Sequence, residues 1–253
     1  MSYEAEYEKL IASTYDGVYA VVRDSSGDTA FYRSMLEEVG GPLLELGCGT
    51  GRVLLNSART GEECIGLDAS TEMLEVLRQK NLPENVELVH GRIEDLDLGD
   101  RRFRLITAPF RTMQHVLDPQ SQLAALENIR RHLAPGGVFA FDVFDPNLSA
   151  IAVEDEPEYL DATFDYQGDE MRRYVSVVRD HSTQVQTVTF RFEGDNADLN
   201  GSTQIQMRWY YRYEIEHLLA RAGFEDVTFF RDFDRTPWSS GGETVVCARV
   251  RIN

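Results

Sequence analysis

Apolar and polar positions change their rhythm along the chain, and the changes divide it into regions. Residues 1–39 repeat apolar positions at intervals of three and four, with Tyr3, Tyr7, Leu10 and Ile11 on one face and Phe31, Met35, Leu36 and Val39 on another. That spacing predicts two helices, with residues 15–19 between them. Short, mostly apolar runs follow at 43–46, 64–68, 86–90, 104–108 and 138–144, with the length expected of strands in a covered parallel sheet. Helical stretches lie between them at 51–58, at 71–81 with Met73, Leu74 and Leu77 inward, and at 120–133 with Leu123, Leu126, Ile129 and Leu133 inward. Ser70 is placed to cap the second of these, and Ala134-Pro135-Gly136-Gly137 stops the third, because glycine closes a helix and proline forbids its extension.

Between 161 and 213 the period falls to two, as in Val175 and Val177, in Val188, Phe190 and Phe192, and in Ile205, Met207, Trp209, Tyr211 and Tyr213. Alternation of this kind predicts an antiparallel sheet, and the Asn-, Asp- and Gly-rich stretch 193–202 its hairpin loop. A helix over 214–222, closed by Gly223, and strands over 227–233 and 243–250 return to the first pattern. The predicted fold class is therefore α/β: a doubly wound, mostly parallel, seven-stranded sheet with an inserted antiparallel sheet. Its regions are a helical cap over 1–40, an α/β domain over 41–147 and 214–253, and the insert over 148–213, suited to a substrate lid or a homodimer surface.

Charge narrows the partners. The 253 residues carry a formal net charge of -18 with a pI near 4.6, so nucleic acid and anionic membranes are repelled. A small-molecule substrate, an amine in particular, suits this field. No apolar run approaches the roughly 20 residues that span a bilayer, and the amino terminus does not read as a signal peptide. Cys48, Cys64 and Cys247 are an odd, scattered set, as expected of buried thiols in a cytoplasmic protein. No cluster has metal-ligand spacing, and neither a G-x-S-x-G elbow nor a G-x-x-x-x-G-K-[ST] phosphate loop is present.

Candidate chemistry concentrates at 42–51, Pro-Leu-Leu-Glu-Leu-Gly-Cys-Gly-Thr-Gly. A buried strand there runs into three alternating glycines, which let a ligand approach main chain without a Cβ in the way. A dinucleotide turn needs G-x-G-x-x-G, whereas Gly51 comes one residue early and Arg52 takes the last position. Asp68 ends the next apolar run, where a carboxylate accepts both hydroxyls of a ribose. Turn and acid together point to an adenosine-bearing ligand.

Glu45-x-Gly47-x-Gly49-x-Gly51 resembles the first motif of the class I S-adenosylmethionine-dependent methyltransferases. The likeness extends to Tyr15-Asp16-Gly17-Val18-Tyr19, the Pro-Gly-Gly turn and Ala222-Gly223-Phe224. It is similar above all to small-molecule N- or O-methyltransferases with an antiparallel insert on a Rossmann-like sheet, such as the glycine and amino-sugar N-methyltransferases. The resemblance implies S-adenosylmethionine as cofactor, with Gly47, Cys48, Gly49, Gly51, Asp68 and Ala69 around its ribose and amino-acid tail, the tail's carboxylate at the amino end of the helix at 51–58. Glu45 orders the turn or meets the amino group, to which Ala108 offers its carbonyl. Met73 and Ile93 lie against adenine, and Tyr19 folds over the cofactor. The family carries an acid directly after Gly91; Arg92 stands there instead, and Glu94 is its candidate replacement. Residues 108–115, with Phe110, leave the strand at the reacting sulfonium. His115 is the candidate general base, Gln114-His115 faces the substrate, and Asp142 and Asp145 are candidate substrate contacts. Two other functions fit the same residues: a regulatory module that binds S-adenosylmethionine or S-adenosylhomocysteine without transfer, and a nicotinamide-dependent oxidoreductase.

Overall fold

A computed structural model describes residues 3–22, 26–195 and 200–250. It resolves into two compact units, Met1–Ser25 with Asn147–Arg208, and Ser26–Pro146 with Trp209–Asn253. The chain opens with helices α1 (Tyr3–Val22) and α2 (Ser26–Val39), and these divide between the units rather than forming one cap over 1–40. Among the described residues no helix is long and apolar enough to cross a membrane.

The α/β unit continues from α2 through β1 (Leu43–Leu46), α3 (Leu54–Ser57), β2 (Cys64–Asp68), α4 (Thr71–Arg78), β3 (Val86–His90), β4 (Phe103–Ala108), α5 (Pro119–His132) and β5 (Leu133–Phe144). The antiparallel unit then takes α6 (Leu148–Ile151), β6 (Asp155–Tyr166), β7 (Asp169–Asp180), β8 (Val185–Gly194) and β9 (Gly201–Arg208). The chain returns with α7 (Arg212–Arg221), β10 (Phe224–Phe230) and β11 (Glu243–Val250). The seven strands lie in the order β10-β11-β5-β4-β1-β2-β3, with β11 antiparallel to both neighbours and β1 to β5 parallel. Strand order reverses around β1, which has β2 on one side and β4 on the other. That reversal opens a crevice at the carboxyl ends of these strands.

Both faces of the sheet are covered, which is why its central strands read as mostly apolar runs. Leu44, Leu46, Ile65, Leu67, Ile106, Phe139 and Phe141 pack on one side with Leu126 and Ile129 of α5 and Ile215 and Leu219 of α7. Leu43, Cys64, Leu105, Val138 and Ala140 face the other, with Phe31, Tyr32, Met35 and Leu36 of α2, Leu54 of α3 and Leu74 and Leu77 of α4. Successive residues of one strand thus enter opposite layers of core.

Several boundaries differ from the sequence pattern. The helix expected over 51–58 is the single turn Leu54–Ser57, because the glycine turn carries left-handed conformations as far as Gly51. The alternation through Trp209, Tyr211 and Tyr213 is not strand: β9 stops at Arg208, Trp209 and Tyr210 are buried, and Tyr211 caps α7. Residues 15–19 do not separate two helices but continue α1, which puts Tyr15 and Tyr19 one turn apart with ring centroids 4.4 Å from each other.

In the antiparallel unit the strands follow the order β6-β7-β8-β9. Val18 of α1 packs on Ala162, Phe164, Met171 and Phe192. Arg173 on the same face pairs with Asp161, its guanidinium 5.5 Å from the Tyr19 ring centroid and 4.8 Å from that of Phe190. The face expected from Tyr3, Tyr7 and Leu10 and residues 196–199 of the hairpin loop lie outside the described side chains and residues.

Candidate active site

The crevice is built from three turns that leave β1, β2 and β4. Gly47, Gly49 and Gly51 take φ of 65°, 53° and 85°. A Cβ on Gly47 would stand 2.5 Å from Thr112 Oγ1 and one on Gly51 2.3 Å from Leu77 Cδ1, while one on Gly49 would meet nothing within 4 Å. The outer two glycines thus serve close packing inside the protein, and Gly49 leaves an open cradle. The turn is closed by Cys48 N–H donating to Leu67 O at 3.1 Å and Gly51 N–H to Cys48 O at 2.8 Å.

Asp68 joins this turn to the next one. Its Oδ2 accepts the Gly49 N–H at 2.7 Å and its Oδ1 the Ser70 N–H at 2.8 Å, and Ser70 caps α4 through the Met73 N–H at 3.2 Å. Burial raises the Asp68 carboxyl above its ordinary range, opposed by those two N–H groups and by the charge of nearby His115. Gly47, Cys48, Gly49, Gly51, Asp68, Ala69 and half-buried Met73 are therefore brought together. The Ala69 carbonyl lies 3.0 Å from His90 Nε2.

Glu45 lies beside the turn at only 2% exposure. Its Oε1 accepts the Leu54 N–H at 3.1 Å, and its buried Oε2 meets no hydrogen-bond partner among the described residues. Burial pushes this carboxyl from the ordinary 4.5 up to about 8, against the opposing charge of Arg52. A buried carboxyl with one oxygen orphaned is costly and suits a cationic or donor group delivered by a ligand.

After β4, Phe110 and Arg111 take φ of 57° and 66°. Left-handed conformations in two adjacent non-glycine residues cost ~1–2 kcal/mol each. The compensating group is Asp142 on β5, 0% exposed. Its Oδ1 accepts the Phe110 N–H at 2.8 Å and the Tyr32 hydroxyl at 2.6 Å, and its Oδ2 accepts the Arg111 N–H at 3.2 Å. Asp142 is thus a buried brace and not a substrate contact. Gln114 is buried as well, accepting the Phe144 N–H at 3.1 Å, so it does not face the substrate. Asp145 accepts the Gly241 N–H at 2.7 Å and ties down the loop before β11. Ala108 is buried at the strand end, and His115 is exposed at the end of the 3-10 turn 112–115.

Arg52, at the position where a dinucleotide turn has glycine, makes a bidentate pair with Asp28 at 2.6 and 2.8 Å and lies 5.3 Å from the Phe110 ring centroid. In the turn after β3 Ile93 is buried, and Glu94 Oε1 accepts both Nε (2.7 Å) and Nη2 of Arg92. The acid expected at the adenine end is present but paired. Tyr19 lies on α1 of the other unit. Sequence reasoning missed Asp28, Tyr32 and Thr112. The available signal was a pair of polar side chains four residues apart on the apolar face of α2. Among the described residues no group of three or more His, Cys, Asp or Glu side chains is placed to hold a metal.

An adenosyl amino acid fits these residues: open main chain at Gly49, a carboxylate at Asp68 and an orphaned carboxyl oxygen at Glu45. Residues 43–137 match the methyltransferase domain family. The chain is 33% identical over 146 residues to the cypemycin N-terminal methyltransferase of a Streptomyces species, covering 58% of this chain and 59% of that protein. It is 34% identical over 140 residues to the dTDP-3-amino-3,6-dideoxy-alpha-D-glucopyranose N,N-dimethyltransferase of Streptomyces fradiae, covering 53% of each. The match therefore spans little more than half the length of these curated relatives. The solved CcbJ methyltransferase of Streptomyces caelestis superposes with a TM-score of 0.77 at 25% identity, covering 90% of this chain and 97% of that one.

Proposed function

We propose that this chain, whose residues 43–137 match the methyltransferase domain family, transfers a methyl group from S-adenosylmethionine to a nitrogen or oxygen of a small molecule, with an amine as the favoured acceptor. The observation that carries this reading is the open cradle at Gly49 beside the Asp68 carboxylate, with the orphaned Glu45 Oε2 next to the same turn. An amine is favoured by the net charge of -18 and by the two relatives, whose names specify an N-terminal methyltransferase and an amino-sugar N,N-dimethyltransferase.

When bound, S-adenosylmethionine supplies a methyl group activated on a sulfonium. Asp68 would take the ribose hydroxyls, and the main chain of Gly47, Cys48, Gly49 and Gly51 would line the amino-acid tail. Glu45 and the Ala108 carbonyl are the acceptors for its ammonium. Ala69, Met73 and Ile93 offer apolar contact for adenine, and Glu94, oriented by Arg92, an acceptor for its amino group. Phe110 stands on the acceptor side. Holding nucleophile and methyl in a near-attack arrangement supplies roughly 7–11 kcal/mol of the barrier, so the residues mainly bind and orient. His115 serves as base for an acceptor that arrives protonated.

Incubation with methyl-labelled S-adenosylmethionine and a panel of peptide amines and amino sugars tests the reading. Label should move to at least one acceptor. Tight binding of S-adenosylhomocysteine with no transfer across the panel would favour a binding module instead.

A further inference from the structure

We propose that Asp142 is a positioning residue that sets the loop 109–112 against the glycine turn, with Tyr32 of α2 as its second anchor. The proposal rests on the methyl-transfer reading and adds to it the group that fixes the acceptor-side loop.

Phe110 and Arg111 hold adjacent left-handed conformations that neither residue type favours, and both of their N–H groups end on the one carboxylate of Asp142. That carboxylate sits on β5, a central strand, and is itself fixed by the buried Tyr32 hydroxyl at 2.6 Å. Burial and the neighbouring Asp142 charge hold the Tyr32 phenol well above its ordinary range, so it remains a donor. One residue further on, Thr112 occupies the space that a Gly47 side chain would need, its Oγ1 and Cγ2 lying 2.5 and 2.6 Å from where that Cβ would stand. A shift of the loop is therefore a shift of the surface against which the glycine turn rests.

A second arm reaches the same loop from the same helix. Asp28 lies one turn before Tyr32 on α2 and is 1% exposed. It holds Arg52, whose guanidinium lies 5.3 Å from the Phe110 ring centroid. Phe110 is thus gripped twice from α2, by its N–H through Asp142 and by its ring through Arg52. Two buried carboxylates spent on one loop residue, with backbone strain at that residue, are what a preorganised site requires. Plain structural reinforcement would not need the strained conformation.

The test compares wild type, Asp142→Asn and Tyr32→Phe by calorimetric titration with S-adenosylhomocysteine at 25 °C, by amide hydrogen exchange and by melting temperature. Asp142→Asn, which trades a carboxylate oxygen for an N–H donor, should weaken binding about tenfold and speed exchange at Phe110 and Arg111 about tenfold relative to the amides of β5. Tyr32→Phe keeps both N–H bonds and should weaken binding by roughly two- to fivefold, carrying the test if Asp142→Asn fails to fold. Folded variants that melt lower yet bind the probe as wild type does would overturn the proposal and leave the methyl-donor reading intact. A wild-type protein that does not bind the probe overturns that reading and the role given to Asp142 with it.

Discussion

Gly47, Gly49 and Gly51 share positive φ, yet their surroundings predict different consequences for the same substitution. Alanine at Gly47 or Gly51 would collide with Thr112 or Leu77, so each should lower stability by about 1–3 kcal/mol or more, read as a drop in denaturant midpoint. Alanine at Gly49 meets open space; beyond the strain of its conformation it should cost affinity for S-adenosylhomocysteine more than stability. Equal losses of stability at all three would contradict the open cradle. Glu45 carries a separate, pH-dependent signature. Its carboxyl keeps its proton up to about 8 when folded, against the ordinary 4.5, so between those values the folded state binds more protons than the unfolded one and stability falls as pH rises. The contribution is complete below about 4.5 and lost on approach to 8, with a slope of at most about 1.4 kcal/mol per pH unit. Denaturant unfolding at pH 5, 6.5 and 8 should show this decline in wild type and a flatter profile in Glu45→Gln; identical slopes would remove the buried proton from the account.

At the level of elements, the strands were the most legible part of the sequence, because burial on both faces leaves an apolar run that little else imitates. Leu44 and Leu46 face one core layer and Leu43 the other, so Leu44→Ala should cost about 2–5 kcal/mol, seen as a lower melting temperature with an unchanged fold. Asp68 was legible for the same reason, as the polar end of such a run. Elements decided by tertiary contact were not. The alternation at 209–213 imitates strand, but buried Tyr210 turns its hydroxyl to the Met113 and Val116 carbonyls at 3.0 and 3.3 Å and Tyr211 begins a helix. Asp142 looked like a free acid at a strand end, because nothing local reveals that Tyr32, 110 residues away in sequence, and the loop after β4 converge on it. The break between the two N-terminal helices was also misplaced: residues 15–19, expected between them, continue α1 to Val22.

Across the whole molecule, the net charge of -18 should draw cationic acceptors, so the KM for a charged amine should rise with ionic strength while that for a neutral acceptor stays flat; a parallel response would leave the field without a role. The central claim is narrower and lies where strand order reverses, with an adenosyl group across the carboxyl ends of β1 and β2 and its ribose on Asp68. Calorimetric titration of S-adenosylhomocysteine into wild type and Asp68→Ala tests it most directly. The account predicts saturable binding by the wild type and a loss of about 10- to 100-fold in the variant, the worth of a charged acceptor to two hydroxyls. Equal affinity in the two proteins, or no binding by either, would contradict it.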